Sequence, residues 1–319
     1  MKKAGHVARS FFNYFPGNNG IICGKGVGAS MKVYHYDAFS ELPNMGNPAG
    51  VVLDANGLTT EEMQEVAQKV GFNETAFTLA SDVADIQLRY FTPGHEMNLC
   101  GHGTMAAIGA LIDCELLSKD TEIRVETKAG ILTVNIAEDV AGRVMITMQQ
   151  AAPIFEAFSG SPAALAEAIG LTEQDIDLAM PIVYGSTGIW TVIVPVKTLA
   201  AFQKMKPNNA SFPEILTEKP RASIHPFCLE TVDSAADMHG RHFSSPFSGT
   251  IEDPVTGTAS GVMGAYFATY IKQGEADLMV EQGLEIGRDG RVIVHIRKRA
   301  SEMKVAITGT AIFVKELEV

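Results

Sequence analysis

The chain has few cysteines, no long apolar run and no excess of positive charge. Its four cysteines, Cys23, Cys100, Cys114 and Cys228, include no Cys-x-x-Cys pair, which argues against a zinc site or a redox dithiol. So few cysteines in 319 residues fit a reducing compartment, and we expect a cytoplasmic protein. No apolar run reaches the roughly 20 residues that a membrane-spanning helix needs.

Acidic residues outnumber basic ones, because the chain has 37 Asp and Glu and only 25 Lys and Arg, which gives a net charge of −12. A nucleic-acid-binding protein needs a basic stripe, so this class is excluded. No Gly-x-Gly-x-x-Gly follows a first strand, which excludes a Rossmann dinucleotide site. With 46% hydrophobic and 19% charged residues, the chain is that of a globular protein with room for two domains.

The order of patterns along the chain predicts two halves behind an extension. Residues 1–30 are broken by Asn, Pro and Gly and lack the apolar core of a signal peptide, so we expect an extension peripheral to function. We place the first half at 31–150 and the second at 151–319, with the C-terminal strands free to return to the first half. Many short strands and two long buried helices predict an α+β fold with curved sheets, each wrapped around one helix.

Local signals predict several elements. Thr59 and Glu62 form a capping box that starts a helix, and Gly71 ends it. Alternating patterns predict strands over 74–79, 86–91, 227–232 and 305–314, among others.

The two predicted buried helices each follow a polar, glycine-containing turn. The first turn is Asn98 to Thr104, and it precedes an apolar helix over 103–117 with no polar face. The second is Glu252 to Gly261, about 155 residues later, and it precedes a helix over 258–271. A helix start carries unpaired N–H groups that suit an anion such as a carboxylate. We expect both helices to begin at one shared cleft.

Four side chains have functional interpretations beside ordinary ones. Glu74 has apolar neighbours that favour a raised carboxyl pKa and acid/base catalysis, but it also fits a solvated glutamate at a helix exit. His102 is either a proton-transfer group or a histidine that satisfies a helix start. Cys100 is either a reactive thiolate or a small buried side chain. Asp253 either binds an amine or orients His102, or it is a turn or N-cap aspartate.

Two further expectations concern the remaining cysteine and metal binding. Cys114 is expected to pack in the interior of the first buried helix. The candidate residues lack a ligand spacing such as His-x-x-x-His, so we expect no metal.

Five stretches in this order resemble the PhzF family of phenazine-biosynthesis-like isomerases over residue 31 to the C-terminus. They are Asn47-Pro48-Ala49-Gly50, Asn73-Glu74-Thr75-Ala76-Phe77, Arg89-Tyr90-Phe91-Thr92-Pro93, Leu99-Cys100-Gly101-His102-Gly103-Thr104 and Glu252-Asp253-Pro254-Val255-Thr256-Gly257-Thr258-Ala259.

The resemblance implies the diaminopimelate epimerase-like fold, a homodimer, and no metal or organic cofactor. It also implies roles for individual residues. Glu74 matches the proton-shuttling glutamate, and His102 and Asp253 match further catalytic positions. The substrate-binding positions implied are Asn47, Cys100, Gly101, Gly103, Thr256, Gly257 and Thr258.

The expected function is that of a cofactor-independent isomerase that moves a proton on a small carboxylate-bearing molecule. One alternative is an amino-acid racemase or epimerase that uses Cys100, although the second turn carries Asp253-Pro254-Val255 and no second thiol. Another alternative is a non-catalytic small-molecule binding protein on the same scaffold. The substrate, the pathway and the role of residues 1–30 stay open.

Overall fold

A computed structural model describes residues 31–299 and 302–319 of the chain. The predicted extension at 1–30, with Cys23, lies outside the described residues. Within them the predicted α+β fold is confirmed, because short strands dominate and the two long apolar helices are buried.

Elements are numbered in chain order. The strands are β1 (Lys32–Ala38), β2 (Asn47–Val52), β3 (Glu74–Leu79), β4 (Ile86–Phe91), β5 (Glu96–Met97), β6 (Thr121–Thr127), β7 (Gly130–Glu138), β8 (Val144–Gln149), β9 (Ile154–Ala157), β10 (Val183–Ser186), β11 (Trp190–Pro195), β12 (Ser223–Cys228), β13 (Met238–Gly240), β14 (Ala276–Gln282), β15 (Gly290–Arg299), β16 (Glu302–Gly309) and β17 (Ala311–Glu318). The α-helices are α1 (Thr60–Val70), α2 (Gly101–Asp113), α3 (Pro162–Ala168), α4 (Leu199–Phe202), α5 (Phe212–Ile215) and α6 (Gly257–Tyr266). Short 3₁₀ turns lie at Glu173–Asp175, Asn209–Ser211 and Leu284–Ile286, and a π-helical turn, Phe267–Ile271, continues α6.

The described chain divides into two compact units. Unit 1 comprises 31–44, 48–148 and 310–319, and unit 2 comprises 45–47, 149–299 and 302–309. The last strand, β17, pairs antiparallel with the first, β1, so both ends of the described chain belong to unit 1.

Unit 1 is a mixed sheet packed on the buried helix α2. Parallel pairs join β2 to β3 and β4 to β6, and antiparallel pairs join β3 to β4, β6 to β7 and β7 to β8. Every residue of α2 from His102 to Ile112 is buried, as expected for a helix without a polar face. A Cβ at Gly109 would lie 2.9 Å from the Cβ of Ala311, so this glycine lets β17 approach the helix.

Unit 2 repeats this design around α6. Its strands pair in the order β9, β10, β11, β12, β13, β14, β15 and β16, with parallel pairs at β11–β12 and β13–β14. Helix α6 contacts β10, β15 and β16. A Cβ at Gly264 would lie 2.6 Å from Val294 Cγ1, so a glycine is needed where the helix meets β15.

The predicted start and end of α1 are confirmed. Glu62 N donates to Thr59 Oγ1 at 3.2 Å, and Thr59 N donates to Glu62 Oε2 at 2.7 Å, which completes the capping box. Gly71 ends the helix with φ of 72°, a left-handed conformation that glycine adopts without strain. Among the described residues, no helix combines the length and the apolar character needed to cross a membrane.

Two strand predictions differ from the structure. The strand predicted at 227–232 lies earlier, at β12, which runs through Pro226 and ends at Cys228. Proline has no backbone N–H to donate, but its carbonyl oxygen can still accept. Pro226 O accepts a hydrogen bond from Arg241 N at 3.1 Å, so the proline remains part of the strand pairing. The strand predicted at 305–314 is two strands, β16 and β17, interrupted at Thr310, where the chain returns to unit 1.

The expectation for Cys114 was wrong. Helix α2 ends at Asp113, before the predicted residue 117, and Cys114 is an exposed C-cap residue. The cause is local, because Glu115 has φ of 58° and the left-handed conformation stops the helix there.

Candidate active site

The first group of predicted site residues lies in unit 1, where β3 begins beside the start of α2. Glu74 is the first residue of β3 and follows the left-handed turn at Gly71. Cys100 is the N-cap of α2, and its Sγ accepts a hydrogen bond from Gly103 N at 3.2 Å. A Cβ at Gly103 would lie 3.1 Å from that sulfur, which explains the glycine. A Cβ at Gly101 would meet nothing within 4 Å, so the backbone there is open.

Glu74, Cys100 and His102 form what we call the unit 1 cluster. Glu74 Oε2 lies 3.0 Å from His102 Nε2, and Cys100 Sγ lies 3.5 Å from His102 Nδ1. Glu74 Oε2 is buried but lacks a properly directed hydrogen bond, so its contact with His102 is an ion pair. The cluster brings together three residues that the sequence singled out separately.

The electrostatics of the unit 1 cluster favour a charged His102. Burial lowers the pKa of His102, but the sulfur of Cys100 and the carboxylate of Glu74 oppose this and raise the pKa well above its ordinary value. Burial raises the pKa of the Cys100 thiol, which His102 only partly offsets. His102 is therefore an imidazolium at neutral pH, and it contacts both the sulfur of Cys100 and the carboxyl group of Glu74.

The unit 1 cluster also has the chemistry of a metal site. One donor atom from each of its three residues lies within 4.8 Å of the others. Carboxylate, thiolate and imidazole are the usual ligands of Zn²⁺, and three such ligands occur in catalytic zinc sites. The expectation that no metal binds rests on the spacing of residues along the chain, and that spacing does not reveal that these three side chains lie close together. It stays a prediction.

The second group of predicted site residues lies in unit 2, around Asp253. Asn47 Nδ2 donates to Asp253 Oδ1 at 2.8 Å and to Val255 O at 2.8 Å. Thr256 Oγ1 donates to the other oxygen, Asp253 Oδ2. Asn47 is fully buried, so its amide holds the carboxylate of Asp253 in place.

The start of α6 is built by the same segment. Thr256 is its N-cap and Gly257 its first residue, with Thr258 in the first turn. The carbonyl of Thr258 accepts a hydrogen bond from Thr187 Oγ1 at 3.0 Å. Thr256, Gly257 and Thr258 thus surround a helix N-terminus, which carries partial positive charge.

Three further polar residues contribute to these sites and were not predicted as site residues, namely Gln282, Tyr90 and Thr104. Gln282, at the end of β14, donates to Asp253 O at 2.8 Å and accepts from Thr256 N at 3.2 Å. In unit 1 the hydroxyls of Tyr90 and Thr104 lie 2.6 Å apart, and Thr104 Oγ1 donates to Cys100 O at 2.7 Å. No local pattern predicts these contacts, because the partners of the three residues are set by strand pairing and helix packing.

The two units, each with a buried apolar helix packed on a mixed sheet, define the diaminopimelate epimerase-like fold. A probable proline racemase from Agrobacterium radiobacter K84 shares it, with a TM-score of 0.61 at 11% identity over 91% of this chain and 92% of that one. At that identity the likeness concerns the fold alone.

Family membership follows from closer comparisons. The family described as "Phenazine biosynthesis-like protein" (PhzC-PhzF) matches residues 36–317, and the chain belongs to this family. A PhzF-family phenazine biosynthesis protein from Bacillus anthracis is similar in structure, with a TM-score of 0.89 and 58% identity over 92% of this chain and 99% of that one. The resemblance seen in the sequence is thereby confirmed.

The relatives are isomerases by name. The uncharacterized isomerase YfhB of Bacillus subtilis (strain 168) is 52% identical over 282 residues, which cover 88% of this chain and 96% of the relative. The trans-2,3-dihydro-3-hydroxyanthranilate isomerase of Pseudomonas chlororaphis is 28% identical over 290 residues, 88% of this chain and 97% of that protein. The chain is accordingly an enzyme of the isomerase class.

Proposed function

We propose that this protein moves a proton within a small carboxylate-bearing molecule without a cofactor, with Glu74 as the acid/base. The observation that carries the proposal is the carboxyl group of Glu74, whose Oε2 is buried and lies 3.0 Å from Nε2 of a protonated His102 at the start of α2. A carboxyl group held beside a fixed positive charge has one defined orientation, which a group that takes up and returns a proton needs.

The proposed step balances without an external reactant. Glu74 takes a proton from one carbon, the electron pair of that C–H bond shifts along the conjugated framework, and Glu74 returns the proton to another carbon. The imidazolium of His102 stabilises the negative charge that develops. The open backbone at Gly101 and the N–H groups at the start of α2 hold a substrate carboxylate.

We assign Asp253 to binding an amino group or a similar donor of the substrate. Its carboxylate is fixed by Asn47 and Thr256, so Asn47 acts through Asp253, and direct substrate contact by Asn47 stays a prediction. The N–H groups at Gly257 offer a second place for an oxygen of the substrate. We expect His102→Ala and Asp253→Ala to weaken binding as well as turnover.

The substrate class is an amino- or hydroxy-substituted carboxylic acid. This follows from the reaction in the name of the Pseudomonas chlororaphis relative, trans-2,3-dihydro-3-hydroxyanthranilate isomerisation.

A substrate screen tests the proposal. Wild-type protein is incubated with metabolite extracts in D₂O, and mass spectrometry records both new isomers and deuterium uptake, with Glu74→Gln as the matched control. We expect a carboxylate that changes with wild-type protein and not with Glu74→Gln. Equal conversion by both proteins would reject Glu74 as the acid/base. Specific binding of a carboxylate without exchange or isomerisation would favour the non-catalytic binding protein.

A second candidate function is an amino-acid racemase that uses Cys100. The observation in its favour is the sulfur of Cys100, 3.5 Å from His102 at a helix start. Against it, the matching stretch of unit 2 offers Asp253 and no thiol for the opposite face of the carbon. Loss of optical activity in an amino acid, abolished by Cys100→Ser, would establish the racemase.

We also propose a homodimer that works in the cytoplasm. The family resemblance supports the dimer, and the small number of cysteines fits a reducing compartment. Light scattering of the purified chain should give twice the monomer mass of 34.2 kDa. A single monomeric species would contradict the dimer.

A further inference from the structure

His225 and His242 form a pair in unit 2 that the proposed function leaves unused. His225 lies on β12, and His242 follows β13 in the antiparallel partner segment. Ile224 and Phe243 exchange both backbone hydrogen bonds, so the next opposed pair, His225 and His242, is of the non-hydrogen-bonded kind. Side chains approach closely at such positions, and the two Nδ1 atoms lie 3.2 Å apart.

This contact requires one donor and one acceptor. Burial lowers the pKa of both imidazoles, and the charge of Asp253 opposes this effect only in part for His242. Both rings are therefore neutral at neutral pH. A neutral imidazole carries one N–H, so one Nδ1 is protonated and the other accepts.

The surroundings of His225 decide which ring donates. His225 Nε2 is buried without a hydrogen-bond partner, and a Cβ at Gly240 would lie 3.2 Å from it. If His242 donated, the proton of His225 would sit on this Nε2 as a buried N–H without an acceptor, which costs about 1–3 kcal/mol. His225 therefore donates from Nδ1, and His242 accepts at Nδ1 and carries its own proton on Nε2.

The Nε2–H of His242 is available to a ligand. His242 is only partly buried, and no described residue accepts a hydrogen bond from its Nε2. The backbone joins it to Asp253, because Asp253 N donates to His242 O at 3.0 Å. The carboxylate of Asp253 in turn favours a proton on this ring.

We propose that His242 is an additional substrate-binding residue, whose neutral Nε2–H donates to a carboxylate or carbonyl oxygen of the substrate beside Asp253. His225 is the positioning residue that fixes the tautomer of His242. A neutral imidazole N–H can stabilise an oxygen that gains negative charge without first giving up its own proton. The identity of the ligand rests on the proposed function, whereas the tautomer does not.

The tautomers are measured by long-range ¹H–¹⁵N NMR of histidine-labelled protein at neutral pH, with signals assigned through single substitutions. We expect Nδ1–H for His225 and Nε2–H for His242. His225→Asn places an amide N–H where the Nδ1–H of His225 was, so His242 should keep its tautomer. His225→Leu removes this donor, so both tautomers of His242 should be populated. The opposite tautomers in wild-type protein, or a fixed His242 in folded His225→Leu, would overturn the inference.

Ligand binding is measured with 3-hydroxyanthranilate, a stable aromatic probe that carries a carboxylate. The probe should shift the His242 Nε2 signal. His242→Asn removes the donor, and His242→Gln places an amide N–H near the lost Nε2–H. A hydrogen bond to a charged acceptor contributes about 1.5–3 kcal/mol, so Kd should rise about 10- to 150-fold in His242→Asn and recover in His242→Gln.

Two outcomes separate this inference from the proposed function. An unshifted His242 signal at millimolar probe, or equal Kd values for wild type and His242→Asn, would overturn the binding role of His242. A His242 that responds as expected, in a protein that moves no substrate proton, would reject the isomerase mechanism and support the role of the histidine pair.

Discussion

Replacing Glu74 by glutamine removes a charge 3.0 Å from His102 Nε2 and keeps the size of the side chain. For two unit charges at this distance, Coulomb's law gives about 1.4 kcal/mol at a dielectric constant of 80 and about 5.5 kcal/mol at an effective value of 20. Since about 1.36 kcal/mol corresponds to one pKa unit, the pKa of His102 should fall by at least about one unit in Glu74→Gln.

The assay is a pH titration of His102 by NMR on histidine-labelled protein, with Glu65→Gln as the control. Glu65 is an exposed glutamate of α1 in the same unit, so its replacement should leave the pKa of His102 unchanged. A pKa of His102 that is the same in wild type and in folded Glu74→Gln would refute the ion pair and the electrostatic argument built on it.

The same ion pair sets a pH dependence of stability. The pKa of His102 is raised in the folded protein, so its stabilising effect is complete below the unfolded pKa of about 6.5. It is lost as pH rises through the raised folded value. The free energy of unfolding of wild type relative to Glu74→Gln should therefore be largest in mildly acidic solution, as measured by urea unfolding across pH.

Three further predictions concern backbone strain, a buried ion network and metals. Gly283→Ala should destabilise the protein by about 1–3 kcal/mol, because φ is +93° and a Cβ would lie 2.3 Å from the carbonyl oxygen of residue 288. Gly287→Ala, at φ +69° with no atom within 4 Å of a Cβ, should cost less in the same urea unfolding, and equal costs would contradict the steric argument. Burial lowers the pKa of His239, but Glu281 and Glu285, which contact its two nitrogens at 2.7 and 2.8 Å, raise it overall. The contribution of His239 to stability is thus complete below pH about 6.5 and is lost above the raised pKa. His239→Gln should lower the free energy of unfolding by about 3–5 kcal/mol near neutral pH. A loss below 1 kcal/mol in calorimetry would contradict that network. Turnover should survive prolonged treatment with a chelator, and activity that vanishes and returns with zinc would show that the unit 1 cluster works with a metal.

Local sequence patterns predicted the parts of the fold that local physics determines. The capping box at Thr59 and the stop at Gly71 need only neighbouring residues, and both are present. The apolar character of α2 and α6 requires burial on all sides, and both helices are buried. The motif residues Glu74 and His102 were singled out separately, and their contact at 3.0 Å results from packing of β3 against α2.

The site contacts that were not predicted from the sequence depend on pairing between strands that are far apart in the chain. Gln282 reaches Asp253 only because β14 ends beside the start of α6, and nothing near Gln282 signals this. His225 and His242 meet through the register that continues from the pairing of β12 with β13, and the strand predicted at 227–232 began after His225. The shared cleft for the two helix starts, the domain limits and the roles of the site residues stay predictions.

The central claim is that Glu74, and not Cys100, carries the proton. The most direct measurement compares kcat for wild type, Glu74→Gln and Cys100→Ser on the substrate found in the screen. We expect Glu74→Gln to lower kcat by roughly 10²–10⁴-fold with little change in binding, and Cys100→Ser to stay substantially active. An active Glu74→Gln beside an inactive Cys100→Ser would contradict the account.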